Sequence, residues 1–330
     1  MFTLVFCTFF ITIHTGYGVT VPTLKLLDGR DIPTIALGTW LGNNTQGRVE
    51  PVGTEVEQAV KWAIDAGYRH IDTAFAYKIE DQVGRAVNAK IGGELKREDL
   101  FITTKLWNDA HALDAVVPAL RESLRRLNLD YVDLYLIHWP VGQFSNLTYD
   151  YTDYVDTWKG MIEAKKQGLA KSIGVSNFNR QQIDRLIENG LETPAVLQVE
   201  INLNLQQPEL LSYCKEKNII VMGYTPFGSI FPSKAKSDAP PPRVDEPALV
   251  EIARKYEKTV PQVVLRYLVD IGVVPIPKSL TKSRIEQNVD IFDFSLTQQD
   301  RDLLKTYDKG YRTIPQLKWQ SHPCYPFEKN

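Results

Sequence analysis

The chain reads as an α/β protein: a closed (β/α)8 TIM barrel preceded by a β-hairpin and carrying long C-terminal substrate loops. Three observations predict this. Short, strand-like apolar runs recur along the 330 residues, and helix-period segments separate them. The alternation repeats eight times over about the length of a typical barrel, roughly 250 residues. No Gly-x-Gly-x-x-Gly fingerprint is present, which counts against a doubly wound dinucleotide-binding sheet.

In chain order, residues 1–18 carry no Asp, Glu, Lys or Arg and include the apolar stretch 2–13, too short to span a bilayer as a helix. They read as a secretory signal peptide, with small residues Gly16 and Gly18 suited to cleavage. The barrel domain is expected over 19–330. It opens on a hairpin, because 23–27 and 32–37 flank Asp28-Gly29, a dipeptide suited to a tight turn. Barrel strands are predicted over 35–38, 70–72, 101–104, 131–137, 171–175, 196–200, 219–224 and 273–276. Between them, Val56, Ala59, Val60, Ala63 and Ile64, and later Leu113, Val116, Val117, Leu120, Leu124 and Leu127, line one helix face. Such stripes pack on the outside of a parallel sheet. Pro240-Pro-Pro242 within 233–246 marks a long surface loop, and the tail 310–330 is rich in Pro and aromatics without helical period.

At 43% hydrophobic and 24% charged, the chain can bury a large core. A formal charge of -2 without a long basic stripe argues against nucleic acid or an anionic membrane as partner. A small-molecule substrate is the expectation, with a monomer as the working state. Asn43-Asn-Thr45 and Asn146-Leu-Thr148 match the glycosylation acceptor pattern, and glycans on Asn43 and Asn146 are expected to rim the barrel mouth. Cys7 would leave with the signal, so Cys214 and Cys324 either form a single bridge or stand as free thiols. No His-Glu-x-x-His or Cys-x-x-Cys spacing points to a metal, and His70 and His111 read as structural.

Four polar residues sit at or just beyond strand-like runs: Asp72, Tyr77, Lys105 and His138. Singly, each has an ordinary reading as a helix cap, core phenol, strand-end lysine or satisfied histidine. As a set at successive strand ends they point to catalysis, because barrel active sites are built there. A reaction that builds negative charge on a substrate oxygen requires a proton donor and fixed stabilisation there. Tyr77 is the candidate acid and Lys105 the cation that would stabilise its phenolate. Asp72 would orient the buried ammonium and His138 donate to the same substrate oxygen.

Five motifs, spread from residue 67 to 279, together resemble the aldo-keto reductase family. They are Gly67-Tyr-Arg-His-Ile-Asp-Thr-Ala-Phe-Ala-Tyr77, Thr104-Lys-Leu-Trp107, Leu136-Ile-His-Trp-Pro140, Gly174-Val-Ser-Asn-Phe178 and Ile276-Pro-Lys-Ser279. The resemblance runs from about residue 24 to 327. It implies a nicotinamide cofactor at the mouth, with Ser176, Asn177 and Gln198 on the carboxamide and Tyr224 stacked on the ring. It extends to Thr225, Phe227 and Ser229 along the pyrophosphate and to Lys278, Ser279, Arg284, Gln287 and Asn288 at the adenosine end. Lys278 and Arg284 are two cations suited to a 2′-phosphate, so NADPH is the expected cofactor. Lys78-Ile-Glu80 after the tyrosine, and Thr225 and Phe227 in the belt, depart from the commonest family pattern.

Trp40, Trp107, His138, Trp139 and Phe144, with Trp319 and Tyr325 of the tail, are the expected substrate walls, suited to a hydrophobic carbonyl compound. The leader sets the chain apart from the cytosolic members, and the resemblance then points to secreted insect reductases of ecdysteroid ketones such as 3-dehydroecdysone. A non-catalytic NADP-binding or structural protein of the same fold is the alternative.

Overall fold

The computed structural model describes residues 19–44, 47–93 and 95–327, so the expected leader lies outside the described residues. The barrel strands are β1 (Leu37–Gly38), β2 (His70–Asp72), β3 (Phe101–Leu106), β4 (Val132–Ile137), β5 (Ala170–Ser176), β6 (Val196–Glu200), β7 (Ile220–Tyr224) and β8 (Val273–Pro275). They lie side by side in chain order, all parallel. The sheet closes on itself: Ala36 N–H donates to the Pro275 carbonyl at 3.1 Å and Gly38 N–H to the Pro277 carbonyl at 2.9 Å. Gly38 permits this seam, since a Cβ there would press on Ile276 at 3.0 Å.

The ten helices among the described residues are α1 (Glu55–Ala66), α2 (Glu80–Lys90), α3 (Val116–Leu127), α4 (Tyr154–Lys166), α5 (Arg180–Glu188), α6 (Pro208–Glu216), α7 (Pro247–Lys255), α8 (Val260–Asp270), α9 (Lys282–Val289) and α10 (Gln298–Lys305). The apolar stripe of α1 is buried as its period predicts, through Val56, Ala59, Val60, Ala63 and Ile64. On α3 the stripe is narrower, because Val117 is only partly buried and Leu113 lies ahead of the helix and is exposed. The N-terminus of α1 is capped from another helix: Gln82 Oε1 accepts from the Val56 and Glu57 amides, each at 3.2 Å. Gly84 lets α2 press on the end of α3, where a Cβ would lie 2.2 Å from the Leu127 carbonyl oxygen.

The predicted hairpin forms, with Thr23–Lys25 antiparallel to Asp31–Pro33, and its second arm ends earlier than expected. Leu26, Ile32 and Ala36 then turn into the barrel and pack with Phe101, Leu134, Leu136, Val196, Met222 and Val274. The hairpin is therefore an apolar plug for the N-terminal end. The larger apolar cluster lies between the strands' outer faces and the helices. At the opposite end two antiparallel ribbons rise from the mouth, Asn43–Asn44 with Gly47–Arg48 and Gly142–Gln143 with Tyr149–Asp150.

One boundary differs in a way that matters chemically. β3 continues through Leu106, so Lys105 projects from within the strand rather than beyond its end. The tail, expected to lack helical period, contains among its described residues a single 3-10 turn at Leu317–Trp319. Cys214 and Cys324 are free and form no bridge.

Candidate active site

Strand β2 ends at Asp72, and Phe75–Tyr77 form one 3-10 turn closed by Lys78 in the left-handed region at φ 59°. That turn swings Tyr77 over the mouth. Lys105, fully buried, donates to Asp72 Oδ1 at 2.6 Å, to the Thr73 carbonyl at 2.9 Å and to the Tyr77 hydroxyl at 3.2 Å. The ammonium's three donors are thus all used. The second Asp72 oxygen accepts from Gln198 Nε2 at 2.8 Å, so the carboxylate is held from two strands.

Burial pulls the Lys105 ammonium below its ordinary pKa, while the charge of Asp72 and its hydrogen bond oppose this. Burial, and then the Asp72 charge, hold the Tyr77 phenol well above its ordinary range. This differs from the expectation of a phenol tuned toward neutrality by Lys105. Desolvation is the larger cause, and the Asp72 carboxylate, bonded to Lys105 at 2.6 Å, opposes the effect of the ammonium that lies 3.2 Å from the phenol oxygen. Tyr77 therefore stands protonated, as a donor.

His138 is 9% exposed, edge-on to Tyr77 at 5.7 Å and to Trp107 at 5.1 Å between ring centroids. Burial, reinforced by the Lys105 charge, drives its pKa well below the ordinary value. A neutral imidazole results, able to polarise an oxygen by N–H donation. Its Nδ1 is buried without a hydrogen-bond partner.

The expected carboxamide residues come together beside this network. Asn177, at φ 61°, donates from Nδ2 to the His138 carbonyl at 2.9 Å and to Ser176 Oγ at 3.1 Å, and its Oδ1 accepts from Tyr224 OH at 2.8 Å. Both of its amide hydrogens are thus committed within the protein. The remaining donors toward a carboxamide are the Ser176 hydroxyl and the second amide hydrogen of Gln198. Thr225 and Gly228 take left-handed φ angles of 51° and 48°, which turn the belt away from β7 and bury Ser229, while Phe227 packs on Phe231.

The adenosine-end residues gather elsewhere, at the end of β8 and on α9. Ser279 and Asn288 are buried, while Lys278, Arg284 and Gln287 are exposed. Among the described residues Lys278, Arg284 and the nearby Lys234 make no ion pair. Desolvation by the atoms packed around its stem, followed by the like charge of Lys234, holds the exposed Lys278 below its ordinary pKa. Unpaired cations around a strand end form a donor set that fits a phosphate-bearing dinucleotide.

The aromatic walls form one cluster: Trp139 meets Trp319 at 5.1 Å and Phe327 at 5.8 Å, and Trp107 meets Trp319 at 6.1 Å. Tyr325 packs in the same group, Trp40 lies against Tyr77 at 4.9 Å, and Phe144 stands half-exposed on its ribbon. His70 and His111 stay structural: burial lowers their pKa values to about 3 and about 4, and His70 bonds Thr103 at 2.8 Å.

Some contributors were not visible in the sequence. Glu200, fully buried, fastens the tail through the Thr313 amide at 2.8 Å and the Ile314 amide at 2.9 Å. Glu80 accepts from Thr104 at 2.6 Å behind the Lys105 strand. Its position three residues after Tyr77 reads in sequence only as a first-turn acid.

A parallel barrel with a phenol, an ammonium, its carboxylate partner and a neutral imidazole at the C-terminal mouth belongs with the barrels built to protonate and polarise a carbonyl oxygen. The chain is a member of the aldo/keto reductase family, whose profile matches residues 34–309. It is 49% identical over 309 residues to the aldo-keto reductase AKR2E4 of Bombyx mori, covering 93% of this chain and 99% of that protein. The crystal structure of AKR2E4 in complex with NADP superposes with a TM-score of 0.89, covering 94% of this chain and 100% of that one. Aldo-keto reductase AKR2E5 complexed with NADPH, a silkworm protein, gives a TM-score of 0.91 at 46% identity over 94% of this chain and 95% of its own. Aldo-keto reductase family 1 member A1 of Xenopus tropicalis is 42% identical over 324 residues, 92% of this chain and 96% of the relative.

Proposed function

We propose that this chain is an NADPH-dependent reductase converting aldehydes or ketones to alcohols. The observation that carries the reading is the single network in which Lys105 bonds Asp72, Thr73 and Tyr77 beside His138. A bound reduced nicotinamide would supply the hydride for the carbonyl carbon. Tyr77 gives its hydroxyl proton to the carbonyl oxygen, Lys105 stabilises the phenolate left behind, and Asp72 keeps the ammonium in place. His138 donates an N–H bond to the same oxygen. Ser176 and Gln198 would orient the carboxamide, and Lys278 with Arg284 would bind the 2′-phosphate, which favours NADPH over NADH.

The aromatic walls favour a hydrophobic carbonyl compound, and a steroid ketone such as 3-dehydroecdysone is the proposed substrate. The test is NADPH oxidation by purified protein across aromatic aldehydes, sugars and 3-keto steroids, with Tyr77→Phe as control. Turnover lost in the control supports the reading. NADPH binding without turnover of any carbonyl overturns it in favour of a cofactor-binding protein, and turnover of aldehydes but not the 3-keto steroid overturns the substrate alone.

We further propose that the chain enters the secretory pathway and carries glycans near the mouth. Asn146 is exposed at the tip of its ribbon, where its Oδ1 accepts from the Thr148 amide at 3.0 Å and hydroxyl at 2.6 Å. Asn43 is exposed on the other ribbon. Protein secreted from insect cells should lose mass on glycosidase treatment, and Asn146→Gln should lose one glycan. Retention inside the cell with no mass shift overturns this.

A further inference from the structure

Behind the catalytic lysine, on the outer side of the barrel wall, lies a carboxyl group that the reduction chemistry does not use. Glu80 opens α2 and is 1% exposed, and its Oε1 accepts from Thr104 Oγ at 2.6 Å. Its Oε2 makes no bond of good hydrogen-bond geometry, although the Ser123 hydroxyl and the charges of Arg126 and Lys78 favour the carboxylate. A first-turn acid that merely complements a helix dipole works best at the surface and needs neither burial nor a threonine. Burying a half-satisfied carboxyl costs free energy, so its placement requires a return elsewhere.

The two ends of this bond supply one. Glu80 follows Tyr77 by three residues, and Thr104 immediately precedes Lys105. Alternation along β3 sends Lys105 inward to Asp72 and Tyr77 and Thr104 outward to Glu80. The same two segments are therefore joined twice, by Lys105–Tyr77 at 3.2 Å inside the barrel and by Thr104–Glu80 at 2.6 Å outside it. Within the turn itself, Tyr77 N–H reaches Ala74 O at 3.0 Å and Lys78 N–H reaches Phe75 O at 3.2 Å. One 3-10 turn followed by a left-handed residue is a weak mount for an acid that must meet a carbonyl oxygen within hydrogen-bond reach.

We propose that Glu80 is a positioning residue: its bond to Thr104 straps the Tyr77 turn to β3 and sets the Tyr77–Lys105 geometry. This rests on the reading of Tyr77 as the proton donor. The role belongs to the oxygen acceptor and not to the charge, so Glu80→Gln, which keeps an oxygen at the same reach, should preserve it.

Kinetics and amide hydrogen exchange on the full chain test the strap together. Glu80→Ala and Thr104→Val should lower kcat by ~10-fold or more, with KM and NADPH affinity changed less than about 2-fold, as a displaced catalytic group predicts. Exchange across residues 75–79 should quicken in both. Glu80→Gln should stay within about 3-fold of wild type in kcat, with exchange unchanged. Wild-type kcat in Thr104→Val overturns the proposal, as does a Glu80→Gln variant as slow as Glu80→Ala, which would assign the role to charge. Glu80→Gln and Thr104→Val keep the test decisive if Glu80→Ala fails to fold. If the wild-type chain reduces no carbonyl, the reductase reading fails by itself; unchanged exchange in Thr104→Val would then overturn the strap as well.

Discussion

The two ends of the barrel interior are lined by the same strands and have opposite chemistry. At the N-terminal end, Phe101, Leu134, Val196 and Met222 meet the hairpin residues Leu26 and Ile32 in an apolar layer. Two to four residues further along the same inward faces stand Lys105, His138, Gln198 and Glu200, all buried and tied by hydrogen bonds or ring contacts. The period of two is unbroken, and only the residue type changes. The lower end gains stability from apolar burial, whereas the upper end spends it on desolvated charge.

Substitutions at the two ends should therefore fail in different ways. The largest effect is expected for Lys105→Met, which leaves Asp72 buried without its ion pair. Turnover should fall by about 10³-fold or more, because the phenolate loses its cation, and stability by ~3–5 kcal/mol from the unpaired carboxylate. Steady-state rates and urea unfolding measure both, and near-normal turnover would remove Lys105 from the mechanism. Ile32→Ala at the plug should cost ~2–5 kcal/mol in the same unfolding experiment while leaving kcat per folded molecule unchanged. If kcat fell as far as stability, the two ends would not be separable.

A smaller effect probes the layer between them, where His70 packs on Phe101 and bonds Thr103. Burial lowers its folded pKa from 6.5 to about 3. The unfolded chain therefore takes up the proton first as pH falls. Stability is complete above about 6.5 and should drain as pH drops toward the folded value, by roughly 1.4 kcal/mol per unit for this group. Unfolding midpoints between pH 7 and 5 should show the slope, and His70→Asn should flatten it; an unchanged slope would assign it to other groups. The smallest effect belongs to the rim. Phe144→Ser, at a side chain 49% exposed, should change stability by less than about 0.5 kcal/mol. It should raise KM for hydrophobic carbonyls a few-fold, and a KM identical to wild type would remove Phe144 from the substrate wall.

Much of this was legible in the residues. The strand-helix alternation, the hairpin around Asp28-Gly29 and the inward polar set Asp72, Lys105 and His138 follow from local periods of two and 3.6, which neighbouring residues write into the chain directly. The cofactor-end residues were found only by resemblance, because lone Ser, Asn and Lys residues carry no period. Local sequence was silent about contacts closed over long separations. The seam between Ala36 and Pro275, the Gln82 cap on α1, the Glu200 clasp on the tail and the Glu80–Thr104 bond each join distant segments.

The state of the catalytic groups was settled at the same level. The residues alone named Tyr77 and Lys105 as acid and cation. Tertiary structure alone decided that Asp72 makes the ammonium's shortest bond, and that burial raises the Tyr77 pKa and keeps His138 neutral. Residue identity states which protons a chain carries, whereas desolvation and the distance to the nearest opposite charge determine where they reside, and both exist only once the barrel has closed.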